Sequence, residues 1–154
     1  MLLVPTYVST SPIAGKGLFA ARDIAEGEIV WKFVEGFDKR LSPSDVELLP
    51  QSERDAVFTW GYLSQRSGQW VLCGDEGRRV NHSDQPNLAG GYDTSRPGDE
   101  GYSYALRPIK EGEELTDNYH HYDQSAGRKL SGEVPSPELA NAGSRRDAGS
   151  QPGA

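Results

Sequence analysis

The chain has 154 residues, 35% of them hydrophobic, a formal net charge of −7 and a single cysteine. That length and apolar content suit one domain with one modest core. The acidic balance excludes the electrostatic footprint of a protein that binds nucleic acid or an anionic membrane, and Cys73 alone excludes an intramolecular disulfide or a multi-cysteine zinc cluster. A buried, inert thiol is expected there.

In chain order, "MLLVP" is cut short at Pro5 with no basic region before it, so no secretory leader is read, and no apolar run reaches the length of a membrane span. A cytoplasmic location is expected. Short β-like runs separated by Gly and Pro follow: "TYVST", "GLFAA", "EIVWKFVEGF", "QWVLCGD", "YSYALR" and "EELTDNY". Between Leu41 and Tyr62 the pattern turns helical. Ser42 is placed to cap with Pro43 at the first helical position of "SPSDVELL", and "SERDAVF" repeats the capping pattern from Ser52. Gly90 to Gly101 carries enough Gly, Pro and Asp to read as an exposed loop. From Gln124 onward few large apolar residues remain, which predicts a flexible tail over 124–154 with at most a short turn at "SPELA".

Two stretches echo each other. "RDIAEGEIV" from Arg22 and "RPIKEGEEL" from Arg107 share an Arg-x-Ile-x-Glu-Gly-Glu frame. Two copies make no solenoid, so each is read as the same device, a Gly turn delivering the chain into a strand.

"GKGLFA", Gly15 to Ala20, fits the loose dinucleotide fingerprint, but Pro12 stands where a buried strand should precede it, and no strand–helix alternation follows. A phosphate-binding loop fails as well, because Lys16 is followed by Gly17 and not by Ser or Thr. Alone, "GKG" is a hairpin with two turn glycines. In "RRVNHSDQPN", Arg78 to Asn87, the Asn81-His82-Ser83 run alone is an Asx-type turn with a surface histidine.

Together, "GKGLFA", "RRVNHSDQPN" and "EGEELTDNY" occur in the order and approximate spacing of the SET-domain lysine methyltransferases, and the resemblance covers Thr6 to Tyr119. It implies a SET domain over residues 1–123, a mainly β fold with short helices. Small antiparallel sheets in a β-clip-like arrangement would end in a C-terminal pseudoknot, the last motif threaded beneath a neighbouring loop. It also implies that Gly15, Lys16, Gly17, Asn81 and His82 hold S-adenosylmethionine. Glycine lets backbone approach a ligand closely, an Asn carbonyl oxygen can accept from the cofactor's ammonium, and the backbone of His82 can pair with the adenine edge.

Tyr119 falls where the family keeps its catalytic tyrosine. Many members read Tyr-Asp-Tyr where this chain has Asp117, Asn118 and Tyr119, so a carboxylate replaces an aromatic ring. A lysine of pKa near 10.4 costs about 4 to 5 kcal/mol to deprotonate at pH 7, and a tyrosine is scarcely ionised there. Tyr119 is therefore read as orienting a neutral amine in a narrow, largely apolar channel, the proton having gone to water. Tyr62, Trp70, Tyr102 and Tyr104 are aromatics that could wall such a channel or pack an ordinary core.

No cysteine follows Cys73, so the cysteine-rich zinc segment of many relatives is missing and "HHYDQS" stands in its place. His120, His121 or Tyr122 is expected to cover the adenine or the channel mouth. His120, His121 and Asp123 as metal ligands form a rival reading, weakened because adjacent strand residues point to opposite faces. No metal is expected. The substrate implied is a lysine-bearing protein or peptide, expected to be basic given the acidic chain. A non-catalytic SET-like module that binds a protein or the cofactor is the alternative. Lys129 in the tail could reach the channel as a self-methylation site.

Overall fold

In this computed structural model, residues 1–132 are described. β1 (Thr6–Thr10) and β2 (Lys16–Ala20) form an antiparallel hairpin, paired from Thr6 opposite Ala20 to Thr10 opposite Lys16. Its turn closes as the Ser11 N–H donates to the Gly15 carbonyl at 3.0 Å. Gly15 takes φ 49°, a left-handed conformation that costs glycine no Cβ clash.

β3 (Ile29–Lys32) and β4 (Lys39–Leu41) lead into α1 (Pro43–Glu47) and α2 (Gln51–Trp60), followed by β5 (Tyr62–Leu63) and β6 (Trp70–Leu72). β7 (Asn81–His82), β8 (Leu88–Gly91), β9 (Tyr102–Ala105), β10 (Thr116–Asp117) and α3 (Ala126–Ser131) complete the order. β3-β9-β8 and β4-β6-β5 are three-stranded antiparallel sheets, and β7 with β10 is a parallel pair. This mainly β set of small sheets with short helices is the fold expected from the sequence. Parallel pairing of β10 with β7, 35 positions upstream by register, threads the last motif beside the Asn-His-Ser loop, as a pseudoknot requires.

Ser42 caps α1 as expected, its hydroxyl accepting from the Asp45 N–H at 3.1 Å. Ser52 does not cap α2. That helix starts at Gln51, because the Pro50 carbonyl already accepts from Glu53 and Arg54, which puts Ser52 inside the first turn. The twin frames lie side by side: Ile24 and Ile109 exchange backbone hydrogen bonds at 2.8 and 2.9 Å. In each, the closing glutamate bridges the leading arginine, Arg22–Glu28 at 2.6 Å and Arg107–Glu113 at 2.9 Å. Gly27 and Gly112 supply the positive φ that both turns need, 79° and 87°.

Leu18, Ala20, Ile24, Val30, Leu88, Ala105, Ile109 and Leu115 form the main core between the hairpin, the twin frames and the central sheet. Each large aliphatic side chain buried there contributes about 1.5 to 3 kcal/mol. A second cluster of Val46, Val57 and Trp70 seats the two helices on β6, with the Phe58 and Trp70 rings 5.1 Å apart.

The expected boundary at residue 123 moves. Gln124 donates its N–H to the Leu63 carbonyl at 2.8 Å, Ser125 and Ala126 are buried, and α3 follows, so 124–131 are packed rather than a loose tail. The physical reason is Asp123, whose buried carboxylate gathers the N–H of Leu63, the N–H and hydroxyl of Ser125 and the ammonium of Lys129. "SPELA" lies outside the described residues. No described helix is long and apolar enough to cross a membrane.

Candidate active site

The loop after β7 and the final motif are sewn together by one side chain, Asn87. Its Nδ2 donates to the Glu114 carbonyl at 2.8 Å and its Oδ1 accepts from the Thr116 N–H at 2.9 Å. Buried backbone groups must be paired, and here a side-chain amide substitutes for a missing strand neighbour. β10 is thereby fixed against β7, and the chain leaves it in a 3-10 turn, Tyr119–His121, capped by the Asn118 side chain.

Tyr119 is held at both ends. Its N–H donates to His82 Nδ1 at 3.2 Å, and its hydroxyl donates to the Val80 carbonyl at 2.7 Å. The phenolic proton is thus committed to a backbone acceptor, while the oxygen lone pairs remain to accept. Burial, with Asp123, Asp117 and Glu114 adding negative charge, pushes the phenol up to about 12. Tyr119 stays protonated at neutral pH.

Tyr119 lines a cavity of about 120 Å³ whose aromatic wall is Trp31, Trp60, Tyr62, Tyr92, Tyr102 and Tyr122. Of the four aromatics singled out in sequence, Tyr62 and Tyr102 are on this wall; Trp70 is in the helix-side core, and Tyr104 packs beside Tyr102 at 6.2 Å. Tyr122 meets Tyr62 edge-on at 5.1 Å and Tyr119 at 6.0 Å, and burial drives the Tyr122 and Tyr62 phenols well above their usual range. The Cys73 thiol, half-buried rather than fully buried as expected, also lines the cavity, and desolvation pushes it up to about 12, so it stays a neutral thiol near pH 7.

The wall is not wholly apolar. Asp117, Glu100 and Lys129 also line it. Glu100 Oε2 accepts from the Ser64 hydroxyl at 2.8 Å, with Arg40 standing 3.9 Å from Oε1. Lys129 projects from α3 and is bound to Asp123 at 2.9 Å and to the Gly61 carbonyl, its ammonium 5.7 Å from the Tyr119 ring centre. Trp31, Trp60, Tyr92 and Glu100 carried no motif in the sequence. They reach the cavity from three separate segments, β3, the end of α2 and the β8–β9 loop, so only the fold assembles them.

The remaining residues singled out in sequence form a second grouping. Asn81 Nδ2 donates to the Ala14 carbonyl at 3.2 Å and to Glu114 Oε1 at 2.8 Å, and Glu114 also accepts from the Ser11 hydroxyl. The "GKG" hairpin, the Asn-His-Ser loop and the last motif therefore meet at Glu114, which lies within "EGEELTDNY" but had no role assigned to it from sequence. Gly17 packs against it: a Cβ there would lie 2.1 Å from Glu114 Oε1, so an added methyl displaces the carboxylate that Asn81 and Ser11 hold. Gly15 and Lys16 are exposed on the hairpin beside this junction, and nothing lies within 4 Å of a Cβ built on Gly15. These residues border the junction and not the aromatic cavity; among the residues expected to hold the cofactor, Tyr122 alone lines it. The His82 ring braces Tyr119 through Nδ1 and pairs with Asp84 through Nε2 at 3.1 Å.

His120 and His121 are exposed, and the Asp123 carboxylate is spent on the contacts above. Among the described residues no group of three or more His, Cys, Asp or Glu side chains is arranged to hold a metal ion.

The sheets, the parallel β7–β10 pair and the tyrosine-walled cavity define a SET-type architecture. Residues 15–120 match the SET domain family, and the chain belongs to it. Among relatives, it is 30% identical over 116 residues to a variant-silencing SET domain-containing protein of Plasmodium falciparum, and 26% identical over 113 residues to human histone-lysine N-methyltransferase 2D. Those matches cover 70% and 73% of this chain but span only 4% and 2% of the relatives' own lengths. Among solved structures, Chaetomium thermophilum Polycomb Repressive Complex 2 superimposes with a TM-score of 0.61 at 26% identity, over 84% of this chain and 17% of that one. The same complex bound to S-adenosylmethionine gives 0.60 at 24%, over 84% and 17%, and the Neurospora SET domain histone lysine methyltransferase gives 0.54 at 20%, over 77% and 53%. The last two comparisons speak for the fold alone. As a class, SET-domain relatives are protein-lysine methyltransferases that use S-adenosylmethionine.

Proposed function

We propose that this protein transfers a methyl group from S-adenosylmethionine to the side-chain amine of a lysine in a basic protein. One observation carries the reading: the Tyr119 hydroxyl, anchored to the Val80 carbonyl, stands in the wall of a cavity rich in aromatic rings. A lysine side chain entering that cavity loses its hydration and its ammonium is destabilised. Tyr119 then accepts a hydrogen bond from the neutral amine and aims its lone pair, which is a positioning contribution.

The cofactor would be held by Gly15, Lys16, Gly17, Asn81, His82 and Tyr122. The residues fit it. Asn81 Oδ1 has no hydrogen-bond partner among the described residues and can accept from an ammonium, and the open space at Gly15 is one that a side chain would fill. S-adenosylmethionine supplies a methyl group on a positively charged sulfur. The acidic chain suits a basic peptide, and the human relative is named for acting on histone lysine.

Calorimetric titration with S-adenosylmethionine tests the cofactor site. Saturable binding by the intact protein, weakened at least tenfold in Asn81→Ala while the melting temperature of the variant stays within a few degrees, supports the reading. No binding by the intact protein contradicts it. Binding without transfer to any basic protein would leave a non-catalytic SET module in its place.

A further inference from the structure

The sequence departure at Asp117 becomes informative once its position is seen. Its side chain is 5% exposed and lines the cavity beside Tyr119. Parallel pairing with β7 sets it opposite His82, and its carbonyl accepts from the Ser83 N–H at 3.0 Å, so the residue cannot swing away. Oδ1 accepts from the Asn118 N–H at 2.7 Å. Among the described residues no donor reaches Oδ2 and no cation pairs with the carboxylate. Its charge is close enough to the Tyr119 and Tyr122 hydroxyls to push both phenols up.

We infer that Asp117 is the group that receives the proton which the target lysine must lose before methyl transfer. This rests on the methyl-transfer reading above. In the step, one N–H bond of the ammonium breaks, its electron pair stays on nitrogen as the nucleophilic lone pair, and the proton forms an O–H bond on Asp117 Oδ2. An ammonium and a carboxylate become a neutral amine and a carboxylic acid, and the acid later returns the proton to solvent. Charge is conserved throughout.

The other groups facing the site are poor recipients. Tyr119 is a neutral phenol whose proton is already donated, and Tyr122 is likewise held neutral. His82 has Nδ1 engaged by the Tyr119 N–H and Nε2 by Asp84. Glu100 accepts from Ser64 through Oε2, and its buried Oε1 has no hydrogen-bond donor but faces the Arg40 guanidinium at 3.9 Å, while Lys129 and Arg78 are cations. Burial pushes Asp117 up to about 7, where a carboxylate is both ionised often enough and basic enough to take a proton near neutral pH. Desolvation favours the neutral forms of both partners, so a buried ammonium beside this carboxylate relaxes toward amine and acid.

Two measurements test this, one of them free of cofactor. In the first, protein labelled with ¹³C at aspartate carboxyls is titrated by NMR. One resonance, missing in Asp117→Asn, is expected to titrate near pH 7 and to move when propylamine, the head of a lysine side chain, is added. A resonance that ignores the amine overturns the inference whatever the cofactor does. In the second, tritiated methyl transfer from S-adenosylmethionine to core histones is followed against pH. The intact protein is expected to gain rate up to about pH 7 and then level. Asp117→Asn should be slower by about 100-fold at pH 7, with cofactor affinity unchanged, and should recover as pH rises toward the lysine's own pKa. Equal rates and equal pH profiles overturn the inference and leave the methyltransferase reading standing. Failure of the intact protein to bind cofactor and transfer methyl removes both.

Discussion

A buried acid that titrates near neutrality must make the fold itself depend on pH, and Asp117 allows the size to be worked out. Burial moves its carboxyl from 3.8 to about 7, with the Asn118 N–H opposing in part. At about 1.4 kcal/mol per pH unit, that displacement corresponds to roughly 4 kcal/mol. Below pH 3.8 the carboxyl is protonated in folded and unfolded chains alike, and the displacement costs nothing. Between about 4 and 7 the unfolded chain releases the proton while the folded chain keeps it, so stability falls as pH rises. Above about 7 the folded state carries the whole cost. Asp117→Asn keeps the shape and an oxygen for the Asn118 N–H but cannot ionise. Urea unfolding of both proteins from pH 4 to pH 8 should therefore show the intact protein losing roughly 4 kcal/mol relative to the variant across that window. Other titrating groups cancel in the difference. A difference that stays flat with pH would refute the claim that this carboxylate is buried and uncompensated.

Tyr119→Phe should lower methyl transfer by at least 100-fold, while removal of its hydrogen bond to Val80 costs only about 1 kcal/mol in urea unfolding. Gly17→Ala places a methyl against Glu114 and should destabilise the fold by about 1 to 3 kcal/mol, read as a lowered melting temperature; an unchanged melt would mean the junction at Glu114 is loose. Asp123→Ala strips partners from Leu63, Ser125 and the half-buried Lys129, and should cost about 3 kcal/mol and release α3 to proteolysis. Tyr122→Ala removes a ring from the cavity wall and should weaken S-adenosylmethionine binding in calorimetry; unchanged affinity would remove Tyr122 from the cofactor site and leave it a wall of the lysine cavity.

Local signals in the sequence located the hairpin, the cap at Ser42, the twin Gly turns and the three motifs, because each is a short-range matter of backbone conformation or spacing. The pseudoknot became legible only through family resemblance: two residues of parallel pairing between Asn81-His82 and Thr116-Asp117 leave no periodic trace. Asn87 and Glu114 fall within the motifs, yet their roles are not legible there for the same reason, since their partners lie 27 to 103 positions away. The packing of 124–131 is not legible in composition, which registers the loss of large apolar residues and not one aspartate able to gather four donors. An apolar channel was expected around the lysine. Asp117, visible in sequence as a departure from an aromatic, and Glu100, delivered from a distant loop, give it charge.

The most direct test of the central claim is transfer of tritiated methyl from S-adenosylmethionine into core histones by the intact protein and by Tyr119→Phe, side by side. Label incorporated at lysine by the intact protein and reduced at least 100-fold in the variant is the result expected. Equal labelling by both proteins would contradict the role given to Tyr119. No labelling by the intact protein, in the presence of demonstrated cofactor binding, would contradict catalysis on this substrate class and favour a binding module.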